Sequence, residues 1–314
     1  IYEYSANRGM TSAINIGLKY VKADYFYKLD SDDYLPKSSL IMISNSITRV
    51  KESKIKVDIN AYSFLSCNPS GELLNKFSSL LKSGKYIDNK IVAIAGTGAN
   101  STDEAIELNK AASSIGYEFA LSVTPYYNKP NQLGLEAHYN KIADSSVIKN
   151  ILYNVPSRTA CDLEPETVNK LIHHENIVGI KEAVDDPKRY KALIKMAKNS
   201  SEPFYVLSGD DPTYFEFMKS GGDGVISVAA NVIPAQVAQI AINCLNGNFE
   251  NAKEINQRYK NLFELLFIES NPIPVKWMLK KMHKIEGGIR LPLTTLQEKN
   301  HASIEDEMLK LNLL

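Results

Sequence analysis

From about residue 89 onward, the chain alternates short apolar runs with longer amphipathic segments. Six apolar runs recur at roughly 25–30-residue spacing, over residues 91–95, 119–123, 150–154, 177–181, 204–208 and 224–228. Each run is nearly continuous in apolar residues, as expected for parallel strands that are buried on both faces. The regular alternation with predicted helices indicates an α/β fold, and the even spacing favours a barrel over an open sheet.

Local signals support several of the helices. The Ser-Thr-Asp-Glu sequence at 101–104 has the form of a capping box, which opens a helix. Pro165 suits the first turn of another helix, where its missing N–H costs nothing. After the last predicted strand the pattern becomes helical over 233–247, 250–268, 274–283 and 303–312.

Residues 1–88 follow a different pattern, and the polar stretch at 84–89 predicts a seam between this segment and a second domain over 89–314. A strand predicted over 24–29 runs into an acidic cluster of Asp30, Asp32 and Asp33. Carboxylates just past a strand can hold a divalent cation through hard oxygen ligands. A solvated acidic turn is the alternative interpretation.

Composition excludes some classes of function. The chain has 36 acidic and 36 basic residues, so it lacks the charge footprint of a nucleic-acid-binding protein. The three cysteines are isolated, which favours a reducing cytoplasm. No apolar run reaches the ~18 residues that a membrane span needs. Because the chain starts at Ile1 inside an apparent strand, we expect it to be a fragment or a trimmed product.

Lys181 ends the apolar run at 177–181. In apolar surroundings a lysine ammonium is costly, so its pKa falls. A neutral amine at pH 7 attacks carbonyl carbon, which is how Schiff-base enzymes begin. The alternative is that Lys181 marks where the strand leaves the core, with its ammonium reaching water.

Polar residues also follow the other five strands, at the rim where the loops of a barrel collect chemistry. Tyr153 could shuttle protons and Arg158 offers a planar fork to a carboxylate. Taken singly, Tyr153 could be a core tyrosine and Arg158 a surface arginine. Their joint placement on one rim with Lys181 favours a catalytic site.

Eight motifs occur in order along this part of the chain: AGTGANST, VTPYYNKP, ILYNVPSRT, VGIKEA, LSGDD, GGDGVISVAANV, ESNPIPVKW and LPLT. In sequence and spacing they resemble the dihydrodipicolinate synthase family, within the class I, pyruvate-dependent aldolase superfamily of TIM barrels. The resemblance implies a lyase without a cofactor. It implies condensation of pyruvate with aspartate semialdehyde, on the route to lysine and diaminopimelate, by a homotetramer built from tight dimers.

The resemblance also implies roles for individual residues. Lys181 matches the Schiff-base lysine, Tyr153 the proton-relay tyrosine, and Arg158 the arginine that binds the semialdehyde carboxylate. Tyr127 matches a tyrosine that the family lends across its dimer interface. The remaining matches are two pocket-lining positions, Gly209 and Ile226, and part of a lysine-feedback site, Asn100, Glu104 and Tyr126. Ala160 stands where the family usually has glycine.

The front of the chain departs from this family. Its first two β/α units should precede the strand at 91–95, and a barrel closes with eight strands, whereas six are found here. The family's Gly-Thr-Thr-Gly-Glu motif, which supplies a relay hydroxyl, has only a weak counterpart around Ser70. Residues 1–85 instead resemble the nucleotide-sugar region of GT-A glycosyltransferases, where the acidic cluster would grip a metal.

Three functions therefore remain open from the sequence. The first is the Schiff-base lyase, impaired by the loss of two barrel units. The second is a sugar-nucleotide-dependent transferase that uses the acidic cluster at 30–33. The third is an inactive chimera of two unrelated coding fragments, since six strands without closure leave unpaired edges.

Overall fold

The computed structural model describes residues 92–314. Predictions made for residues 1–91, including the domain at 1–88 and its strands and helices, lie outside the described residues.

The described residues form a parallel sheet of six strands. Each strand pairs with its neighbour in the chain, in the order β1 to β6. The strands are β1 Ile94–Gly96, β2 Phe119–Val123, β3 Lys149–Asn154, β4 Ile177–Glu182, β5 Tyr205–Ser208 and β6 Gly224–Val225. The six predicted strands are confirmed. The last one is shorter than predicted: the Ile226 N–H still donates to the Ser208 carbonyl of β5, but the N–H groups of Val228 and Ala229 donate to Asp211.

Helices follow the strands as the pattern predicts. They are α1 Thr102–Ile115, α2 Gln132–Asp144, α3 Pro156–Thr159, α4 Pro165–Leu171, α5 Pro187–Asn199, α6 Tyr214–Lys219, α7 Pro234–Leu245, α8 Phe249–Leu265, α9 Ile273–Lys281 and α10 His301–Lys310. Short 3-10 turns occupy Ala229–Asn231 and Glu298–Asn300. The four predicted C-terminal helices are confirmed, with ends shifted by one to three residues. Among residues 92–314, no helix is long and apolar enough to cross a membrane.

Capping residues explain where the helices begin and end. The Ser101 hydroxyl accepts the N–H of Glu104 at 3.5 Å, as the capping sequence predicts. Gly116 ends α1 in the left-handed conformation with φ 97°, which a residue with a side chain adopts only at a cost. Asp186 accepts the N–H of Lys188 at 2.9 Å at the start of α5. Pro165 opens α4, as predicted.

The main core lies between the sheet and the helices. Leu152, Ile180 and Val206 are neighbours across β3, β4 and β5, and all three are fully buried. Burying one such side chain contributes about 1.5–3 kcal/mol. Successive residues of a strand face opposite sides. The next register row of Tyr153, Lys181 and Leu207 therefore faces away from the helices, into the concave side of the sheet.

Candidate active site

Lys181 and Tyr153 face each other on adjacent strands. They are paired in the register of β3 and β4, and the Lys181 ammonium lies 4.1 Å from the centroid of the Tyr153 ring. A cation over an aromatic face is attracted by the ring quadrupole. The contact holds the amine at a defined position on the concave face, beside a phenol.

The Lys181 side chain is buried rather than extended into water, with 7% of the residue exposed. Burial lowers its pKa to about 8, the nearby Asp211 carboxylate opposes that change, and the Arg158 guanidinium adds to it. With this pKa about a tenth of the Lys181 amine is neutral at pH 7, far more than for a lysine with its ordinary pKa. The alternative interpretation, in which the Lys181 ammonium reaches water at the end of the strand, is therefore wrong.

The Tyr153 phenol keeps its proton at neutral pH. Burial raises the pKa of Tyr153, the positive charge of Arg158 lowers it, and Glu182 raises it further. A protonated hydroxyl next to an amine can donate a proton and take it back. Lys181 and Tyr153 together therefore provide an amine that can form an adduct and a phenol that can act as its general acid and base.

Gly209 and Ile226 lie at the ends of the next two strands. A Cβ added to Gly209 would lie 2.8 Å from Cε of Lys181 and 2.9 Å from Cβ of Ala183, so only glycine fits against the lysine stem. The N–H of Ile226 donates to the Ser208 carbonyl at 2.9 Å, and Ile226 is buried. The structure thus places Gly209 directly against Lys181, with Ile226 one strand further along.

Arg158 lies on the short helix α3, which follows β3 at once. Its Nη1 donates to the carbonyl of Asn271 at 3.3 Å, while the side chain stays exposed. The last residue of this helix is attached to the loop after β2, because the Thr124 hydroxyl donates to the Thr159 hydroxyl at 3.1 Å. Since Arg158 acts electrostatically on both Lys181 and Tyr153, its charge belongs to the same site.

The loops after β1 and β2 form a second group at the same end of the sheet. Asn128 donates its side-chain amide to the carbonyl of Asn100 at 2.8 Å, which joins the two loops. Tyr126 and Tyr127 are exposed, and Tyr127 stands 89% exposed with φ 76°. Glu104 lies in the first turn of α1. The structure brings Asn100 close to the tyrosine loop and leaves Tyr127 largely without contacts in its own chain.

Four predicted residues cannot be located. Asp30, Asp32, Asp33 and Ser70 lie outside the described residues. Within residues 92–314, no group of three or more His, Cys, Asp or Glu side chains could hold a metal ion.

A buried ionic network behind Lys181 was missed from the sequence. Glu182 points toward the helices and pairs with Arg189 at 2.8 Å, and the Asn154 amide donates to the same carboxylate at 3.1 Å. Arg189 also binds Asp162 at 2.9 Å. Glu182 occurs in one of the motifs, but nothing in its local sequence indicates that Asn154 and Arg189, from two other segments, bind its carboxylate.

Asp211 is a second residue to which the sequence assigned no role. The LSGDD motif was recognised at the end of β5, and only its glycine was given a function. In the structure Asp211 is 1% exposed and its charge acts on Lys181. The effect of the Asp211 charge on the buried amine can be found only once the two strands are placed side by side.

A buried amine at the end of a parallel strand, with a phenol beside it and a guanidinium whose charge acts on it, is the arrangement expected of an α/β enzyme that works on carbonyl compounds through a Schiff base. Residues 77–310 match the family described as the Dihydrodipicolinate synthetase family. The chain belongs to this family. The match begins twelve residues before the predicted boundary at residue 89 (89 − 77).

Individual relatives agree with this assignment. The 4-hydroxy-tetrahydrodipicolinate synthase of Coxiella burnetii is 50% identical over 222 residues, 71% of this chain and 75% of the relative. That of Saccharophagus degradans is 49% identical over 228 residues, 73% of this chain and 77% of the relative. A crystal structure of the chloride-inhibited dihydrodipicolinate synthase of Acinetobacter baumannii, complexed with pyruvate, is 44% identical. It superimposes with a TM-score of 0.75, over 77% of this chain and 82% of that one.

The function that follows is that of a 4-hydroxy-tetrahydrodipicolinate synthase, a lyase of lysine and diaminopimelate biosynthesis. The fold is of the α/β TIM-barrel type, of which the described residues form the six-stranded parallel part. The predicted resemblance of residues 1–85 to GT-A glycosyltransferases finds no support in these matches, and neither does a transferase activity.

Proposed function

We propose that Lys181 forms a Schiff base with pyruvate and that the chain then condenses this adduct with L-aspartate semialdehyde. The single observation that carries the proposal is the buried Lys181 amine against the Tyr153 ring at 4.1 Å. The family membership supports it, as does the pyruvate complex of the related Acinetobacter baumannii enzyme. No cofactor is required, because the amine itself supplies the electron sink.

The chemistry assigns a task to each member of the pair. The neutral Lys181 amine adds to the keto carbon of pyruvate, and the resulting carbinolamine loses water to leave an imine. Tyr153 donates the proton that the departing hydroxyl needs and later takes one back. The protonated imine loses a methyl proton to give an enamine, whose carbon attacks the aldehyde carbon of the semialdehyde. The C–C bond forms as the aldehyde C=O π bond breaks, and the alkoxide oxygen takes up a proton. The amino group of the semialdehyde then displaces Lys181 from the imine carbon, which frees the amine for another turnover.

Arg158 is proposed to bind the carboxylate of the semialdehyde. Its guanidinium is exposed apart from the bond to the Asn271 carbonyl, so donors remain for a planar, bidentate partner. Gly209 and Ile226 are proposed to line the pyruvate side of the pocket. The steric contact between Gly209 and Lys181 supports this placement.

Tyr127 is proposed to complete the site of a second copy of the chain. A tyrosine that is 89% exposed, in a loop tied to its neighbour by the Asn128–Asn100 bond, suits a side chain lent across an interface. The assembly we propose is a homo-oligomer, a dimer of tight dimers. Asn100, Glu104 and Tyr126 are proposed to contribute to a lysine-feedback site on the same surface.

The proposed setting is the cytoplasm. Cys161 and Cys244 are both free thiols in the protein interior, as is typical of proteins in a reducing compartment.

Borohydride trapping with pyruvate, followed by peptide mass spectrometry, tests the proposal. We expect a reduced pyruvyl adduct on Lys181 and none on Lys149, an exposed lysine at the start of the neighbouring strand that serves as an internal control. Lys181→Ala should abolish the label. Absence of the adduct on folded protein would overturn the proposal and favour the inactive chimera instead.

A further inference from the structure

Asp211 is a buried carboxylate with unusually complete hydrogen bonding. One oxygen accepts from the Ser227 hydroxyl, and the other accepts from the backbone N–H of Val228 at 2.8 Å and of Ala229 at 3.2 Å. Burying a carboxylate is costly unless its lone pairs are satisfied, and three donors meet that need. This explains how Asp211 is tolerated at 1% exposure, but not why a charge is kept there.

All three donors belong to the loop that follows β6, whereas Asp211 belongs to the loop that follows β5. The Ser227 hydroxyl in turn accepts the N–H of Ala230 at 3.0 Å. Asp211 and Ser227 together therefore bind the backbone N–H groups at the start of the 3-10 turn Ala229–Asn231. The carboxylate therefore ties two loops to one another. Hydrogen bonds to a carboxylate in the low-dielectric interior are stronger than the same bonds in water.

These two loops also carry Gly209, which lies against Lys181, and Ile226, which pairs with the end of β5. Gly209, two residues before Asp211, lies against the Lys181 stem, and Ile226 immediately precedes Ser227. A purely local role as a turn cap would account for the bonds to Val228 and Ala229. It would not account for the position of the cap within electrostatic reach of Lys181.

We propose that Asp211 is a positioning residue for the Schiff-base reaction, because its carboxylate locks the loops after β5 and β6 together and so holds Gly209 and Ile226 in register with Lys181. The inference rests on the proposed role of Lys181. Displacing reacting groups by about 1 Å can reduce a rate on the order of 100-fold, so loss of this tie should be visible in kinetics.

The test compares Asp211→Asn with Asp210→Asn. The adjacent Asp210 accepts the Thr213 hydroxyl at 2.6 Å, makes no bond to the β6 loop among the described residues, and provides a matched loss of one charge. An amide at 211 keeps the size but cannot accept all three donors. For Asp211→Asn we expect kcat to fall about 10–100-fold, while Asp210→Asn stays near wild type.

The pH dependence of borohydride trapping is the readout that a merely structural role would not move. The charged and titratable groups that act on the Lys181 amine are Tyr153, Arg158 and Asp211. Asp211 raises the pKa of Lys181, so Asp211→Asn should shift the rise of the trapping rate to lower pH. Asp210→Asn should leave the rise in place.

Ser227→Ala is a milder second variant, to be used if Asp211→Asn does not fold. It removes only one of the three donors to Asp211. We expect a several-fold loss of kcat with a pyruvate KM that changes less. Folded Asp211→Asn and Ser227→Ala proteins with wild-type kcat and an unshifted trapping profile would overturn the positioning role. Failure to trap pyruvate on wild-type Lys181 would instead refute the proposed function, so the two failures are distinct.

Discussion

Lys181 and Tyr153 occupy paired positions on β4 and β3, and the amine nitrogen lies 4.1 Å from the centre of the phenol ring. In-register pairing of parallel strands fixes the spacing of side chains on one face. The amine and the phenol are consequently pre-positioned by the backbone, and neither needs a loop to move before it reaches the other.

Replacing Tyr153 with phenylalanine should separate its two contributions. The ring that faces the Lys181 ammonium remains, whereas the hydroxyl that moves protons is lost. We expect kcat/KM to fall by about 10²–10⁴-fold, the usual contribution of a positioned acid–base group. Steady-state kinetics beside a thermal melt make the measurement. Undiminished kcat/KM in Tyr153→Phe would contradict the relay role.

Trapping of pyruvate by wild-type protein should depend on pH through one amine. Only neutral Lys181 reacts, and with its pKa at about 8 the trapping rate should rise through pH 8 and level off above it. Arg158 lowers this pKa, so Arg158→Gln should move the rise to higher pH. Because trapping uses pyruvate alone, any loss of semialdehyde binding in Arg158→Gln does not affect the measured rate. An unmoved profile would mean that Arg158 lies too far from the amine to influence it.

Gly209→Ala should remove activity through a steric effect. The new methyl group would lie 2.8 Å from Cε of Lys181, and overpacking of this kind costs about 1–3 kcal/mol while displacing the lysine. Adduct yield per folded molecule is the quantity to measure.

Gly116→Ala is the control for this substitution. It has φ 97° and nothing within 4 Å of the added methyl group, so it should cost about 1 kcal/mol of stability without changing the yield. Equal adduct yields from the two variants would exclude the steric explanation for Gly209.

The Glu182–Arg189 pair should be important for stability. Its atoms are 2.8 Å apart and the Glu182 side chain is fully buried, so Arg189→Met leaves an uncompensated charge and should cost about 3–5 kcal/mol of unfolding free energy. Adding Glu182→Gln should recover part of that loss. Denaturant titration provides the measurement.

Lys170→Ala provides the surface comparison, since it breaks an ion pair of equal length, 2.8 Å to Glu136, with the lysine side chain 56% exposed. Such pairs contribute about 0–1 kcal/mol. Similar losses for Arg189→Met and Lys170→Ala would show that burial of the Glu182 pair has no energetic consequence.

The sequence predicted the strand order and most strand positions, because apolar runs report burial directly. It overextended the last strand to residue 228, and Asp211 explains why. The Ile226 N–H still donates to β5, but the N–H groups of Val228 and Ala229 donate to that carboxylate, so the strand does not continue to residue 228. A side chain that lies 17 residues away from Val228 leaves no periodic signal at the strand it terminates.

The site was predictable to the extent that it lies on strand ends. Lys181, Tyr153 and Gly209 could be named because each follows or ends an apolar run. The partners of Glu182 could not, since Asn154 on β3 and Arg189 on α5 meet it only after two β/α units have packed. The roles of all these site residues remain predictions, because they concern reactions, substrates and a second copy of the chain.

The sequential pairing of the strands bears on how the site is made during synthesis. Tyr153 and Lys181 both belong to one strand–helix–strand unit, Lys149 to Glu182, so their contact closes a loop of modest length. Loops of this size close at small entropic cost and favour early folding of local units. The segment that holds the reacting pair is therefore complete before the residues of β5 and β6 are translated, whereas the Asp211 tie requires the chain up to Ala229.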